Sequence, residues 1–216
     1  LIFANPFWNH AIVGVVWWAW HLPYYYYFLP RADLQAATPY GVPIFLALGL
    51  LVLIPLFRTG KAWNRVVTGV LACLWLWLSL VFWVGAASQM AMLYAPAALF
   101  AVQGALFLYA LVRDRIAYGP AGRANTAIGL AFVAYALIGY PLVGLLVGHE
   151  YPHAALSPLF PCPGIVLTFG ALLLTRRVPW PLLVIPTFWA ASGILWFYLG
   201  MVEDAGLVLA GVVGTV

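Results

Sequence analysis

The chain has 216 residues, of which 66% are apolar and 6% charged. A soluble domain is roughly 45–50% apolar and about 25% charged, so these values exclude a soluble globular domain, a disordered chain and a nucleic-acid binder of the basic-patch kind. Nine Lys and Arg against five Asp and Glu give a net charge of +4, an excess that in a membrane protein reports on topology, because Lys and Arg collect in cytoplasmic loops.

Apolar runs of about 20 residues predict the spans. The first covers 11–29 and carries Trp17, Trp18, Trp20, His21, Pro23 and four consecutive tyrosines, Tyr24 to Tyr27. The second covers 40–57, the third 66–87, the fourth 91–112 and the fifth 126–148. A sixth region, 154–175, is interrupted by Pro158, Pro161 and Pro163. The seventh covers 181–201, and an eighth begins at Ala205. The chain opens at Leu1 without Met and stops at Val216 inside that last run. A dozen residues cover only about 18 Å as helix, against a hydrocarbon core of about 30 Å. The expectation is a piece trimmed at both ends, with no cleavable signal peptide. The fold expected is all-α: one polytopic transmembrane helix bundle over 1–216, of about seven to eight spans, one of them broken at Pro161-Cys162-Pro163.

Charge sorts by loop. Arg58, Lys61 and Arg65 join spans two and three; Arg113, Arg115 and Arg123 join four and five; Arg176 and Arg177 join six and seven. Eight of the nine basic residues thus share one side, which is expected to be cytoplasmic. The other side holds Arg31, Asp33, Ser88, Gln89, His149, Glu150, His153, Cys162, Glu203 and Asp204. Trp63, Trp180 and the tyrosine run suit the two interfaces, where amphipathic rings settle. Gly69, Gly104, Gly129, Gly144 and Gly193 are expected to let helices approach closely. Cys73 lies in a span and Cys162 in a loop, so no disulfide is expected.

The second half carries a series of short motifs: Gly139-Tyr140-Pro141-Leu142, Gly148-His149, Tyr151-Pro152, Pro161-Cys162-Pro163, Thr168-Phe169-Gly170 and Leu172-Leu173. Pro179-Trp180, Val184-Ile185-Pro186, Trp189 and Glu203-Asp204 follow. Together with the run from Val102 to Leu108, this resembles a family of bacterial multi-pass membrane proteins known only as a domain of unknown function. The resemblance covers about 71–216, and Trp8-Asn9-His10-Ala11-Ile12 is a loose echo of it. It implies a bacterial cytoplasmic membrane and implies no activity.

Four groups could carry chemistry. His149-Glu150-Tyr151-Pro152-His153 spells the zinc-protease motif H-E-x-x-H. Pro152 disfavours the helix that motif needs, so a simple metal or ligand contact by His149 and His153, or an interfacial loop with no further role, competes with a protease. At Pro161-Cys162-Pro163-Gly164, a half-helix starting at membrane depth would aim N–H groups and partial positive charge at a cavity. Cys162 and Gly164 are the ligand candidates there, and Cys162 is also a metal candidate. The alternative is a proline-rich cap. His21 and Gln103 lie near mid-depth of their spans, about 15 Å in. They could hold a haem, pigment or quinone, or simply bond each other. Glu203-Asp204 could complete a metal site with His149, His153 and Cys162, or be a solvated cap for the next helix. Trp17 to Pro23 also echoes the W-x-x-x-H-L-P segment of CAAX-type intramembrane proteases, but the paired-glutamate motif of that family does not occur in the sequence.

No acidic residue falls inside a predicted span, which weakens ion-coupled transport. The leading expectation is a non-enzymatic accessory or structural subunit of a larger membrane complex. It would hold a small ligand near its non-cytoplasmic face, in contact with lipid and other membrane proteins and with no nucleic acid. Two alternatives are kept: a metal-dependent membrane enzyme using His149, His153 and Cys162, and a channel or transporter for a small neutral solute.

Overall fold

A computed structural model describes residues 40–88, 90–149, 154–176 and 178–215. The first predicted span with His21 lies outside the described residues, as do Glu150 and His153.

Among the described residues the regular elements are all helices. Helix α1 is Gly41–Leu51. Helix α2 is Lys61–Trp77, widening into a π-helical segment at Leu78–Trp83 and closing as Val84–Ala87. Helix α3 is Tyr94–Val112. Helix α4 is Arg123–Ala134, with a second π-helical segment at Tyr135–Gly139 and a last part at Tyr140–Leu146. Helices α5, Pro161–Leu173, α6, Pro181–Tyr198, and α7, Ala205–Val213, complete the order. Among the described residues, four stretches are long and apolar enough to cross a membrane: Lys61–Ala87, Ala91–Val112, Arg123–Leu146 and Pro181–Tyr198. Gly41–Leu56 and Pro161–Leu173 are shorter apolar helices.

The sixth region departs from the expected break at Pro161-Cys162-Pro163: one helix starts at Pro161 and runs unbroken through all three residues. Residues 154–160 are non-helical and α5 begins at Pro161, where a missing N–H is harmless and φ is already helical. At 13 residues the helix reaches about 20 Å. Every residue from Pro161 to Leu172 is buried, because α5 is enclosed by α2, α4, α6 and α7. The irregular backbone leading into it, residues 154–160, is itself almost wholly buried in protein. Across the α2 contact, Trp75 Nε1 donates to Thr168 Oγ1 at 3.1 Å, and Thr168 Oγ1 donates on to the Gly164 carbonyl at 2.9 Å. Trp83, Phe100 and Trp189 join α2, α3 and α6, with ring centroids 4.9–5.9 Å apart.

Small residues set the closest approaches. A Cβ on Gly170 would stand 2.9 Å from the Gly129 carbonyl oxygen and 3.0 Å from the Val133 nitrogen, so α4 and α5 meet backbone to backbone. Gly104 packs on Leu76, and Gly193 on Leu207 and Val208. Gly69 differs from expectation: nothing lies within 4 Å of where its Cβ would be. Cys73 is exposed on α2, Cys162 is buried, and both are free thiols.

Three helices end in one turn type, in which a residue of positive φ lets two N–H groups reach back to the last carbonyls. In α3, Asp114 takes φ 49°, and the Asp114 and Arg115 N–H groups donate to Leu111 and Ala110. Gly148 and Gly200 do the same for α4 and α6, at φ 91° and 100°. Asp114 also accepts from Arg65 Nε at 2.7 Å and pairs with Lys61 Nζ at 2.8 Å. These bonds, Arg65 first, hold its carboxyl below the usual carboxylate range. Nearby, the Gly119 N–H donates to the Leu174 carbonyl at 2.7 Å, and Tyr118 bridges Thr175. Burial pushes the Tyr118 hydroxyl above the usual phenol range. The stretches around Lys61, Asp114 and Thr175 thus gather at one end of the bundle. Cys162, at the opposite terminus of α5, marks the other.

Candidate functional site

At the Cys162 end, two turn motifs deliver a cluster of polar side chains. Gly148 ends α4 and directs the chain so that His149 N–H reaches the Gly144 carbonyl at 2.9 Å. Gly200 ends α6, and a short 3₁₀ turn, Val202–Asp204, leads into α7. Glu203 and Asp204 fall on that turn and are both fully buried. The solvated-cap alternative is corrected on this point. The acids do lie in the first turn before α7, but Tyr135, Tyr140, His149 and Cys162 cover them.

The contacts divide into two arms. His149 Nδ1 lies 3.0 Å from Glu203 Oε1, with Gly144 packed beside the pair. Tyr140 Oη donates to Asp204 Oδ1 at 2.5 Å, and Cys162 Sγ stands 3.6 Å from Asp204 Oδ2. Tyr135 Oη donates to the Glu203 backbone carbonyl at 2.7 Å, and its ring packs on Gly206. Glu203 Oε2 has no hydrogen-bond partner among the described residues. The partial positive charge at the starts of α5 and α7 favours negative charge here.

Of the predicted site residues, His149, Cys162, Glu203 and Asp204 come together. His153 lies outside the described residues. Among those described, no three His, Cys, Asp or Glu side chains form a metal-holding group. Gly164 is buried against the Pro158 carbonyl and Leu78, and its N–H is used by the Phe160 carbonyl at 3.1 Å. Pro161 and Pro163 have no N–H to offer, so the start of α5 is poor in donors. Tyr135 and Tyr140 were not singled out as site residues in the sequence. Their signal is visible only afterwards, as tyrosines five apart across a wide helical turn.

Gln103 is buried away from this cluster. Its Nε2 donates to the Leu182 carbonyl at 3.0 Å. Pro186 stands four residues after Leu182 in α6 and has no N–H, so that carbonyl lacks its helical partner. Gln103 supplies the missing donor from α3. Its Oε1 has no partner among the described residues, and the pairing with His21 lies outside them. Gln103→Leu is expected to lower stability by about 1 kcal/mol. In a Pro186→Ala background, where Leu182 regains an N–H, the same change should be close to neutral. Equal losses in both backgrounds, in a thermal-unfolding cycle, would refute the assignment.

A small cavity of about 10 Å³ beside α5 is lined by Phe45, Gly49, Val70, Leu74, Pro158 and Leu167, and that is room for at most one water.

No curated protein and no solved structure matches the chain. The stretch from about residue 71 onward, over which the resemblance is read, falls within a longer match that begins upstream of α1. Residues 32–216 match a family of unknown function (DUF6064), and the chain belongs to that family.

Proposed function

We propose that the chain is a multi-pass protein of the bacterial cytoplasmic membrane, with seven to eight spans. Loops 58–65, 113–123 and 176–177 face the cytoplasm, and the acid pair sits at the non-cytoplasmic end. Within that setting it is a non-enzymatic subunit of a larger membrane complex that holds a small cation at Glu203 and Asp204. One observation carries the reading: two adjacent carboxylates are fully buried while one oxygen of Glu203 has no protein partner among the described residues. A buried carboxylate oxygen without a donor is costly, and a bound cation removes that cost. Ionisable groups buried in membrane proteins mark ligand and ion sites. Apolar side chains exposed along the spans, such as Val102, Phe188 and Leu195, supply faces for lipid and neighbouring subunits.

A metal-dependent enzyme is the second reading, favoured by the approach of His149 and Cys162 to the same acids. It needs a further ligand, for which His153 is the candidate. A solute path along the sixth segment has less support, because α5 is enclosed on all sides.

The test is a native mass spectrum of the gently solubilised protein from its own membrane, beside the Glu203→Gln variant. The expected result is a mass above the chain by a partner protein, plus a cation mass that the variant lacks. A lone chain retaining metal through His149 and Cys162 favours the enzyme. A lone wild-type chain with no added mass refutes the proposal.

A further inference from the structure

We infer that the basic end carries a binding site for one acidic phospholipid, with the phosphate held by Arg115 and Arg176. A cavity of about 750 Å³ opens there, lined by Leu106, Tyr109, Arg115, Arg176, Trp180 and Leu182 among others. This is within the range of small-molecule sites, roughly 300–1,000 Å³. Its walls are apolar and aromatic, apart from the two guanidinium groups.

The charge arrangement selects the occupant. Asp114 is the acid at this end among the described residues, and Lys61 and Arg65 engage it. Arg115 and Arg176 form no ion pair among the described residues. Both are nonetheless fixed at the backbone. The Arg115 N–H donates to the Ala110 carbonyl at 2.9 Å, and Arg176 follows Thr175, which bridges Tyr118. Two uncompensated guanidinium groups at the mouth of an apolar groove fit a group with a phosphate at one end and hydrocarbon at the other. Arg suits phosphate because its planar fork can donate two parallel bonds. Leu106 and Leu182 offer the acyl chain a surface, and exposed Trp180 stands where indole rings meet headgroups. Basic pockets between spans on the cytoplasmic side bind anionic headgroups in the same way.

The inference rests on the membrane reading above. The full chain, purified in dodecyl maltoside, is titrated with phosphatidylglycerol, phosphatidylcholine and inorganic phosphate, and adducts are read by native mass spectrometry. Phosphatidylglycerol is expected to add one to one and at least about tenfold more tightly than phosphatidylcholine. In an Arg115→Gln, Arg176→Gln double variant that affinity should fall roughly 20- to 30-fold. An Arg58→Gln, Arg123→Gln control, altered at basic residues outside the cavity, should stay within about twofold. All four changes are at exposed positions, and helical circular dichroism confirms that the variants fold. Equal affinity for the two lipids, or equal loss in the two variants, overturns the site. Inorganic phosphate binding as tightly as the lipid overturns the lipid assignment. A chain that stays in the aqueous phase without detergent overturns the membrane reading instead.

Discussion

Gly170→Val is expected to abolish the packed form of the protein, and Gly170→Ala to lower its stability by about 1–2 kcal/mol. The obstacle is backbone. A Cβ at this position would stand 2.9 Å from the Gly129 carbonyl oxygen and 3.0 Å from the Val133 nitrogen. A flexible side chain can swing away from an added methyl, but a neighbouring helix must move as a body. Alanine recovers roughly 1 kcal/mol through helix propensity, which offsets part of an overpacking cost of up to about 3 kcal/mol. Valine adds two more methyl-sized atoms and recovers less. The measurement is the thermal unfolding midpoint in detergent, with monodispersity as the check on folding. Gly69→Ala is the control, because open space surrounds that position. It should be neutral or slightly stabilising. If Gly170→Ala behaves like Gly69→Ala, the α4–α5 contact is looser than the geometry described here.

Asp204→Ala is expected to cost about 2–3 kcal/mol. The carboxylate accepts from Tyr140 Oη at 2.5 Å and lies 3.6 Å from Cys162 Sγ, all in a buried setting. Hydrogen bonds to charged groups are worth roughly 1.5–3 kcal/mol net, and removing one partner leaves the other to bear its own desolvation. Tyr140→Phe should lose a similar amount by taking the donor away. Together the two changes should cost well under their sum, since each removes the same bond. Fully additive losses in the double-mutant cycle would show that the hydroxyl and carboxylate do not act as a pair. Neither variant should disturb Gln103, which lies on the other side of the core.

Much of this architecture was legible because proline and apolar run length are local signals. The fourth predicted span, 91–112, matches the helical stretch Ala91–Val112. The non-helical stretch before α5 and the helix start at Pro161 follow from proline, which disfavours helix in the residue before it and suits the first turn. The burial of Glu203 and Asp204 was not legible. Adjacent acids before an apolar run look the same whether water or Tyr140 covers them, and the covering residues lie 42 to 68 positions away. Gln103 was legible by half. Pro186 announces a carbonyl without a donor, but the donor comes from 79 residues upstream. Asp114 escaped notice because a single acid among basic residues looks incidental until its left-handed turn aims it at Lys61 and Arg65.

The π-helical segment at Tyr135–Gly139 gives α4 an adjustable phase. At the segment's end the Tyr140 N–H reaches back five residues, to the Tyr135 carbonyl, so the helix carries surplus chain for the length it spans. Each residue of a regular α-helix turns the azimuth by about 100°. Closing the wide turn by removing one residue would leave the helix almost unchanged in length. It would, however, rotate everything beyond it, swinging Tyr140, Gly144 and His149 off the acid pair together. The helix acts there as a vernier, coupling the count of residues on one side of the turn to the compass bearing of the site on the other.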